Sequence, residues 1–552
     1  MGISKINIHL LPQLLVLAVF TFSCTGNQSG RQSADRPNIV IIMADDLGYS
    51  DAGCYGGEIN TPHIDRLAEN GLRFTRFYNA ARCCPTRASL LTGVYQHQAG
   101  LARNGNSLTD NVVTLAEVLQ ESGYHTGMTG KWHLSETRGL EDHEEQLKWL
   151  SHRIDHSPFA PVETYPCNRG FDEHYGVIWG VVDFFDPFSL VHNETPIETV
   201  PDDFYITDFI SNKSVDLIEK FNRDEEPFFL YVAYTAPHWP LHARSDDIAR
   251  YDGMYDEGWG ALRKARYDRM TALGIIEPET APLAPNESGR SWTDEPYKAW
   301  EANHMETHAA MVDRMDQGIG RIIQKLEESG QLENTVIFFL ADNGASPERG
   351  FPPGFDRPGH KRNGEEITYL QPGDGIQPGP QDTWGYLGDA WAGAVNAPFR
   401  YWKKESFHGG VCTPFIVHWP GGMKTGAGEI TGQAGHIIDV MPTLLELTGT
   451  TYPQEYNGHK ILPPEGKSLV DIFEGKQRDP HKILFWEHEG GKAVVEGDWK
   501  IAALRDREWE LFNLADDFTE TTDLRDQFPE KVSDLEKKWE AWYESMMDGT
   551  IP

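Results

Sequence analysis

The sequence predicts an α/β protein built on a doubly wound sheet, with a small α+β appendage at the C-terminal end. Three observations carry this. Continuous apolar, β-branched runs recur along the chain with helical patterns between them, the alternation that builds a parallel sheet. Short polar clusters follow several of these runs directly, where ligands collect in open α/β sheets. From about residue 476 the texture changes to short strand patterns separated by polar turns.

The first run is Asn38 to Met43, bounded by Pro37 and followed by Asp45-Asp46, and it reads as a buried strand. Similar runs lie at Phe228 to Ala233, Val336 to Leu340 and Pro414 to Trp419. Helices are expected at Pro62 to Asn70, at Leu115 to Ser122 behind Thr114 and at Ile206 to Phe221. The longest expected helix, His308 to Ser329, is punctuated by Gly330. Residues 347–395 are rich in Gly and Pro and read as a long functional loop. In the appendage, strands are expected at Ile483 to Trp486, Ala493 to Val495 and Trp509 to Leu514, and a charged helix at Pro529 to Met546.

Ahead of the fold, Ile8 to Phe22 is an apolar run behind Lys5, too short to span a membrane and suited to a signal-peptide core. Cys24 ends it in a pattern that resembles a lipoprotein signal, so export and a lipid anchor on Cys24 are expected, with a periplasmic or cell-surface location. The boundaries are then 1–24 for the leader, 25–36 for a linker, 37–475 for the main domain and 476–552 for the C-terminal subdomain. A net charge of −35 repels nucleic acid and anionic lipid, so neither is an expected partner. Six cysteines in 552 residues make no disulfide framework.

Asp45-Asp46 read alone as a turn or a helix cap, and Asp342-Asn343-Gly344 as an Asx turn. Two such corners on one sheet bring four oxygen-bearing side chains together, which suits a hard divalent cation. The segment Cys83-Cys84-Pro85-Thr86-Arg87-Ala88-Ser89-Leu90-Leu91-Thr92-Gly93 adds a cysteine at a helix start, with Arg87 beside it to stabilise negative charge.

That eleven-residue segment resembles the signature of the formylglycine-dependent sulfatases. Further matches follow in order: Gly130-Lys131-Trp132-His133, Pro237-His238, Asp342-Asn343-Gly344, and Lys403 six residues before Gly409-Gly410, with Lys404 as runner-up. Arg169 to Asp172, Tyr255 to Trp259 and Gly497 to Lys500 extend the resemblance over nearly the whole chain. His408, where the family usually has Glu or Gln, is a departure that bears on the local loop shape.

The resemblance implies an alkaline-phosphatase-like fold, with a large mixed, mostly parallel sheet sandwiched by helices. It implies Cys83 converted to formylglycine by a maturation enzyme, and one Ca²⁺ held by Asp45, Asp46, Asp342, Asn343 and modified Cys83. It also implies catalytic roles for Arg87, Lys131, His133, His238 and Lys403. The aldehyde hydrate would attack sulfur with Asp342 as base; His238, with Lys403, would protonate the leaving alcohol, and His133 would take the second hydroxyl's proton. The expected substrate is a sulfated sugar or oligosaccharide cleaved in an exo-acting mode. Loops 139–165 and 347–395 would wall the pocket; Trp179, Trp239, Trp384 and Trp391 could stack on sugar rings, although each reads first as a core residue. Two other readings stand beside it: a phosphonate or phosphate monoester hydrolase on the same scaffold, and a non-catalytic protein that binds sulfated glycans.

Overall fold

A computed structural model describes residues 1–2, 36–224 and 226–548. The leader and Cys24 lie outside the described residues. The main sheet uses β1 (Asn38–Ala44), β2 (Leu72–Tyr78), β3 (His125–Lys131), β4 (Glu173–Val177), β5 (Leu190–His192), β6 (Thr195–Pro196), β7 (Phe228–Ala233), β8 (Thr335–Ala341), β9 (Cys412–His418) and β10 (Glu429–Thr431). Its order is β10-β2-β9-β8-β1-β7-β3-β4-β5-β6. The centre, β8-β1-β7-β3-β4, is parallel throughout. The run that begins near Pro414 forms β9, which is antiparallel to both β8 and β2.

β1 shows why the continuous runs belong at the centre: every one of its residues is buried, because helices cover both faces. Ile39, Ile41 and Met43 join one core cluster while Val40, Ile42 and Ala44 join the other, as strand alternation requires. The long helix runs Lys298–Glu328, ten residues further towards the N-terminus than its apolar spacing indicates. Its first turns carry Glu301, His304 and Glu306, polar but buried, so the hydrophobic pattern under-reports them.

Register then positions the chemistry. Ala44 pairs with Ala341, Met43 with Ala233, and Gly130 with Ala233, so four neighbouring strands end in one row. The residues that follow them, Asp45, Asp342 and Lys131 among them, emerge together at the carboxyl ends. The C-terminal part forms an antiparallel sheet of β11 (Leu484–His488), β12 (Gly491–Glu496), β13 (Trp499–Ala503) and β14 (Glu510–Asn513), backed by the helix Pro529–Asp548. Among the described residues no helix is long and apolar enough to cross a membrane. Cys54, Cys83, Cys84, Cys167 and Cys412 are free thiols.

Candidate active site

The helix Cys83–Thr92 starts at the thiol, and every one of its residues is buried. Cys83 itself is 2% exposed, with Sγ 3.5 Å from His133 Nδ1. Arg87, one turn on, donates through Nε and Nη2 to Asp342 Oδ2 at 3.1 and 2.8 Å, and through Nη1 to the Lys131 carbonyl. Lys131 Nζ lies 2.5 Å from Asp45 Oδ2, and Lys403 Nζ 2.8 Å from Asp46 Oδ2. Asp46 N–H donates to Asp342 Oδ1, and Asn343 Nδ2 donates to Asp46 Oδ1. All the predicted site residues therefore meet in one cluster. Of the two candidate lysines, Lys403 is the one in it: its side chain is 1% exposed, against 30% for Lys404, which turns to Glu348.

Two positions in the cluster have backbones that non-glycine residues rarely adopt: Asp46 at φ 66° and His133 at φ 60°. Such conformations persist only where packing over-determines them, and they gather at functional sites. Gly180 makes room for His133, since a Cβ there would lie 2.3 Å from the ring. The Gly409-Gly410 pair serves close approach: Gly409 O would lie 1.8 Å from a Cβ at Gly344, beside the Asn343 corner. The departure at His408 leaves this shape intact. Its N–H donates to Glu520 Oε2 and its Nδ1 lies 2.7 Å from the Phe518 carbonyl, so the C-terminal segment holds it.

Three carboxylates (Asp45, Asp46, Asp342) meet three cations (Arg87, Lys131, Lys403), so the cluster is balanced by itself, and a divalent ion would leave it cationic. The donor set fits such an ion. Asp45 Oδ1 and Asn343 Oδ1 are buried and have no hydrogen-bond partner, although the rest of the cluster is densely paired. Asp45, Asp46 and His238 also each bring one ligand atom to within 4.8 Å of one another. Hard oxygen donors of this kind suit Ca²⁺ or Mg²⁺.

The histidines differ from the lysine in charge. Burial, then Lys131 and Arg87, holds His133 well below the usual histidine range, so it is a neutral base. Burial likewise takes His238 down to about 4, against the pull of Asp46. Its Nδ1 is 2.5 Å from the Trp239 carbonyl, and its Nε2 faces Asp46 Oδ2 at 3.5 Å. Burial opposes the charge on Lys403, but the carboxylates of Asp46 and Glu348 outweigh it and keep the ammonium firmly protonated.

Glu348 is the neighbour that sequence reasoning missed. It is buried and accepts from Trp239 Nε1 at 2.7 Å, with Arg82 Nη1 at 3.1 Å and Lys404 Nζ at 3.0 Å. It belongs to no motif and has no strand end to announce it. Of the two readings of the loop tryptophans, core or sugar platform, the core one holds: Trp179, Trp239, Trp384 and Trp391 are all buried. Trp384 and Trp391 are wholly inaccessible, and Trp391 packs on Trp259 and Trp292. Loops 139–165 and 347–395 do meet, with Gln146 Nε2 donating to Phe355 O and Phe355 stacked on Trp179.

Fold and cluster together define a hydrolase of the α/β class whose buried centre suits a small anionic ester. Comparison with known proteins makes this specific. The sulfatase family model matches residues 37–450. An uncharacterized sulfatase of Schizosaccharomyces pombe is 33% identical over 511 residues, covering 84% of this chain and 85% of its own. The arylsulfatase of Klebsiella aerogenes is 33% identical over 470 residues, 80% of this chain and 93% of its own. A solved structure in complex with its substrate D-glucosamine-2-N,6-O-disulfate shares the fold, with TM-score 0.60, 20% identity, and coverage of 93% of this chain and 99% of that one. The chain belongs to the sulfatase family and is a sulfatase, an enzyme of sulfate-ester hydrolysis.

Proposed function

We propose that this sulfatase removes sulfate from carbohydrates, acting on terminal sugars, with Cys83 matured to formylglycine and one Ca²⁺ at the oxygen cluster. The observation that carries this is the Cys83 thiol, buried at a helix start, 3.5 Å from a neutral histidine and beside a charge-balanced carboxylate–cation cluster. The aldehyde hydrate would supply the attacking oxygen, and a divalent ion held by Asp45, Asp46, Asp342 and Asn343 would supply positive charge for the ester.

The chain's own groups then divide the work. Arg87 fixes Asp342 through two hydrogen bonds and so sets the floor of the pocket. Lys131 and Lys403 bring ammonium groups to the ester oxygens, where low local dielectric makes each count. His133, neutral and next to position 83, is suited to take a proton from that side chain. Lys403, firmly protonated, is suited to give up the proton the leaving alcohol needs, and neutral His238, whose Nε2 shares Asp46 with it and whose other nitrogen is tied to a carbonyl, is suited to relay that proton. Sugar alkoxides leave poorly, so this proton should supply a large share of the rate. The carbohydrate reading draws support from the sugar disulfate bound in the structural neighbour. The leader pattern and Cys24 support an exported, lipid-anchored enzyme, reached by a maturation enzyme that modifies Cys83.

The test is sulfate release from a panel of defined sulfated sugars, using protein whose residue-83 peptide mass shows the aldehyde. Cys83→Ser should trap a sulfated enzyme or be nearly dead; multiple turnovers at the wild-type rate would overturn the scheme. Matched phosphate or phosphonate esters cleaved faster than sulfates would favour the phosphoryl reading instead. Binding of sulfated glycans with no turnover by fully converted protein would favour the non-catalytic one.

A further inference from the structure

The far end of the chain packs against the segments that carry Cys83 and Lys403. Leu484, Trp486 and His488 alternate with Phe485 and Glu487 along β11, so they share a face, and all three are buried. Trp486 Nε1 donates to the Asn79 carbonyl at 2.7 Å. His488 lies two residues further along that face, on the side of the hairpin that approaches the Lys404 backbone. The neighbouring strand agrees: Gly491, paired with His488, would place a Cβ 3.4 Å from Lys404 O, and Lys404 N–H donates to Ala81 O.

His488 is 2% exposed, yet neither of its ring nitrogens has a hydrogen-bond partner, and Arg82 Nε has none either. Two unpaired nitrogens on one buried ring are costly and uncommon in a finished structure. The groups close enough to act on the ring electrostatically are Arg82, Lys404, His97 and Lys403, and Glu489 Oε1 lies 3.8 Å from Nε2. Burial first, then Arg82 and Lys404, keep the imidazole neutral. A neutral imidazole offers one donor and one acceptor. Its complement is a hydroxyl, which also donates and accepts, rather than an anion.

We propose that His488 is a recognition point for a ring hydroxyl of the sulfated sugar, contributed to the catalytic pocket by the C-terminal sheet. The inference rests on the carbohydrate reading above and deepens it. A site built around a hydroxyl discriminates strongly against substrates that lack one, because its polar groups are then left unpaired.

The test compares 4-nitrophenyl sulfate, which carries no hydroxyl, with sulfated monosaccharides on the aldehyde-bearing enzyme. In His488→Phe, which keeps a ring without nitrogen, the ratio of kcat/KM for sugar to aryl sulfate should fall about tenfold, chiefly through KM. His488→Asn should restore part of the ratio. A ratio unchanged in His488→Phe, whether both activities fall or neither does, overturns the inference and leaves the sulfatase reading standing. A wild type that cleaves aryl but not sugar sulfates overturns the carbohydrate reading and this inference with it. A wild type inert on both overturns the proposed chemistry itself.

Discussion

Lys403 and Lys404 are adjacent in the chain and opposite in surroundings, and the difference can be measured. Lys403→Ala leaves Asp46 without its buried counter-ion and removes a cation from the ester, so kcat/KM should fall about 10²-fold or more. Lys404→Ala loosens only Glu348, and steady-state rates should show a clearly smaller loss. Gly180→Ala drives a methyl group into the His133 ring, and a misplaced base should lower kcat about tenfold with thermal stability largely kept. A full-rate enzyme would contradict the role given to His133. The sequence makes the site legible wherever a side chain sits at a strand end or inside a motif, as with Asp45, Asp342 and Cys83. It is silent on Glu348, whose partners are Arg82, Trp239 and Lys404, three segments that only tertiary packing unites. On the tryptophans it leaves two readings, core or sugar platform, because an aromatic residue in a loop can pack inward as readily as outward, and burial decides for the core.

Elements with a strong local signature are the ones the sequence announces. β1, β7 and β8 are apolar runs buried on both faces. β3 and β4 read poorly: His125–Lys131 contains two glycines and two threonines, and Glu173–Val177 begins with two polar residues. Both are central all the same, since pairing with β7 and with each other supplies what propensity does not. Thr114 is a clear local signal. Its hydroxyl accepts from Glu117 N–H while the Glu117 carboxylate accepts from Thr114 N–H, closing a capping box on the helix Leu115–Glu121. Thr114→Ala should therefore cost about 1 kcal/mol or more in urea unfolding. No measurable loss would mean that packing alone holds that helix.

Across the whole molecule, acid and calcium should act on stability in ways the burial pattern dictates. Burial holds His174 and His436 at about 3, and His304 and His418 at about 4. Unfolded, each would bind a proton below its ordinary value near 6.5. Between those limits each of these histidines binds its proton only in the unfolded chain, so they lower stability as pH drops from about 6.5 to 4, partly offset by Asp316 and Glu405, whose carboxyls burial raises to about 7. Each site contributes up to about 1.4 kcal/mol per pH unit. His174→Gln should flatten that slope by about one proton, as read from denaturation midpoints against pH. Calcium at a hundred times its Kd should add about 2.7 kcal/mol of stability, visible as a rise in Tm that a chelator reverses. Asp342→Asn should weaken that response, and an unaltered rise would move the ion elsewhere.

The contact between Trp486 and Asn79 joins residues 407 positions apart. The packing around Asn79, four residues before the thiol at position 83, is therefore incomplete until the ribosome has made most of the polypeptide. Until that late strand docks, the nascent segment lacks part of its cover. The enzyme proposed to modify the cysteine would have the time of translation in which to do so, and a chain released without its tail would never make that contact.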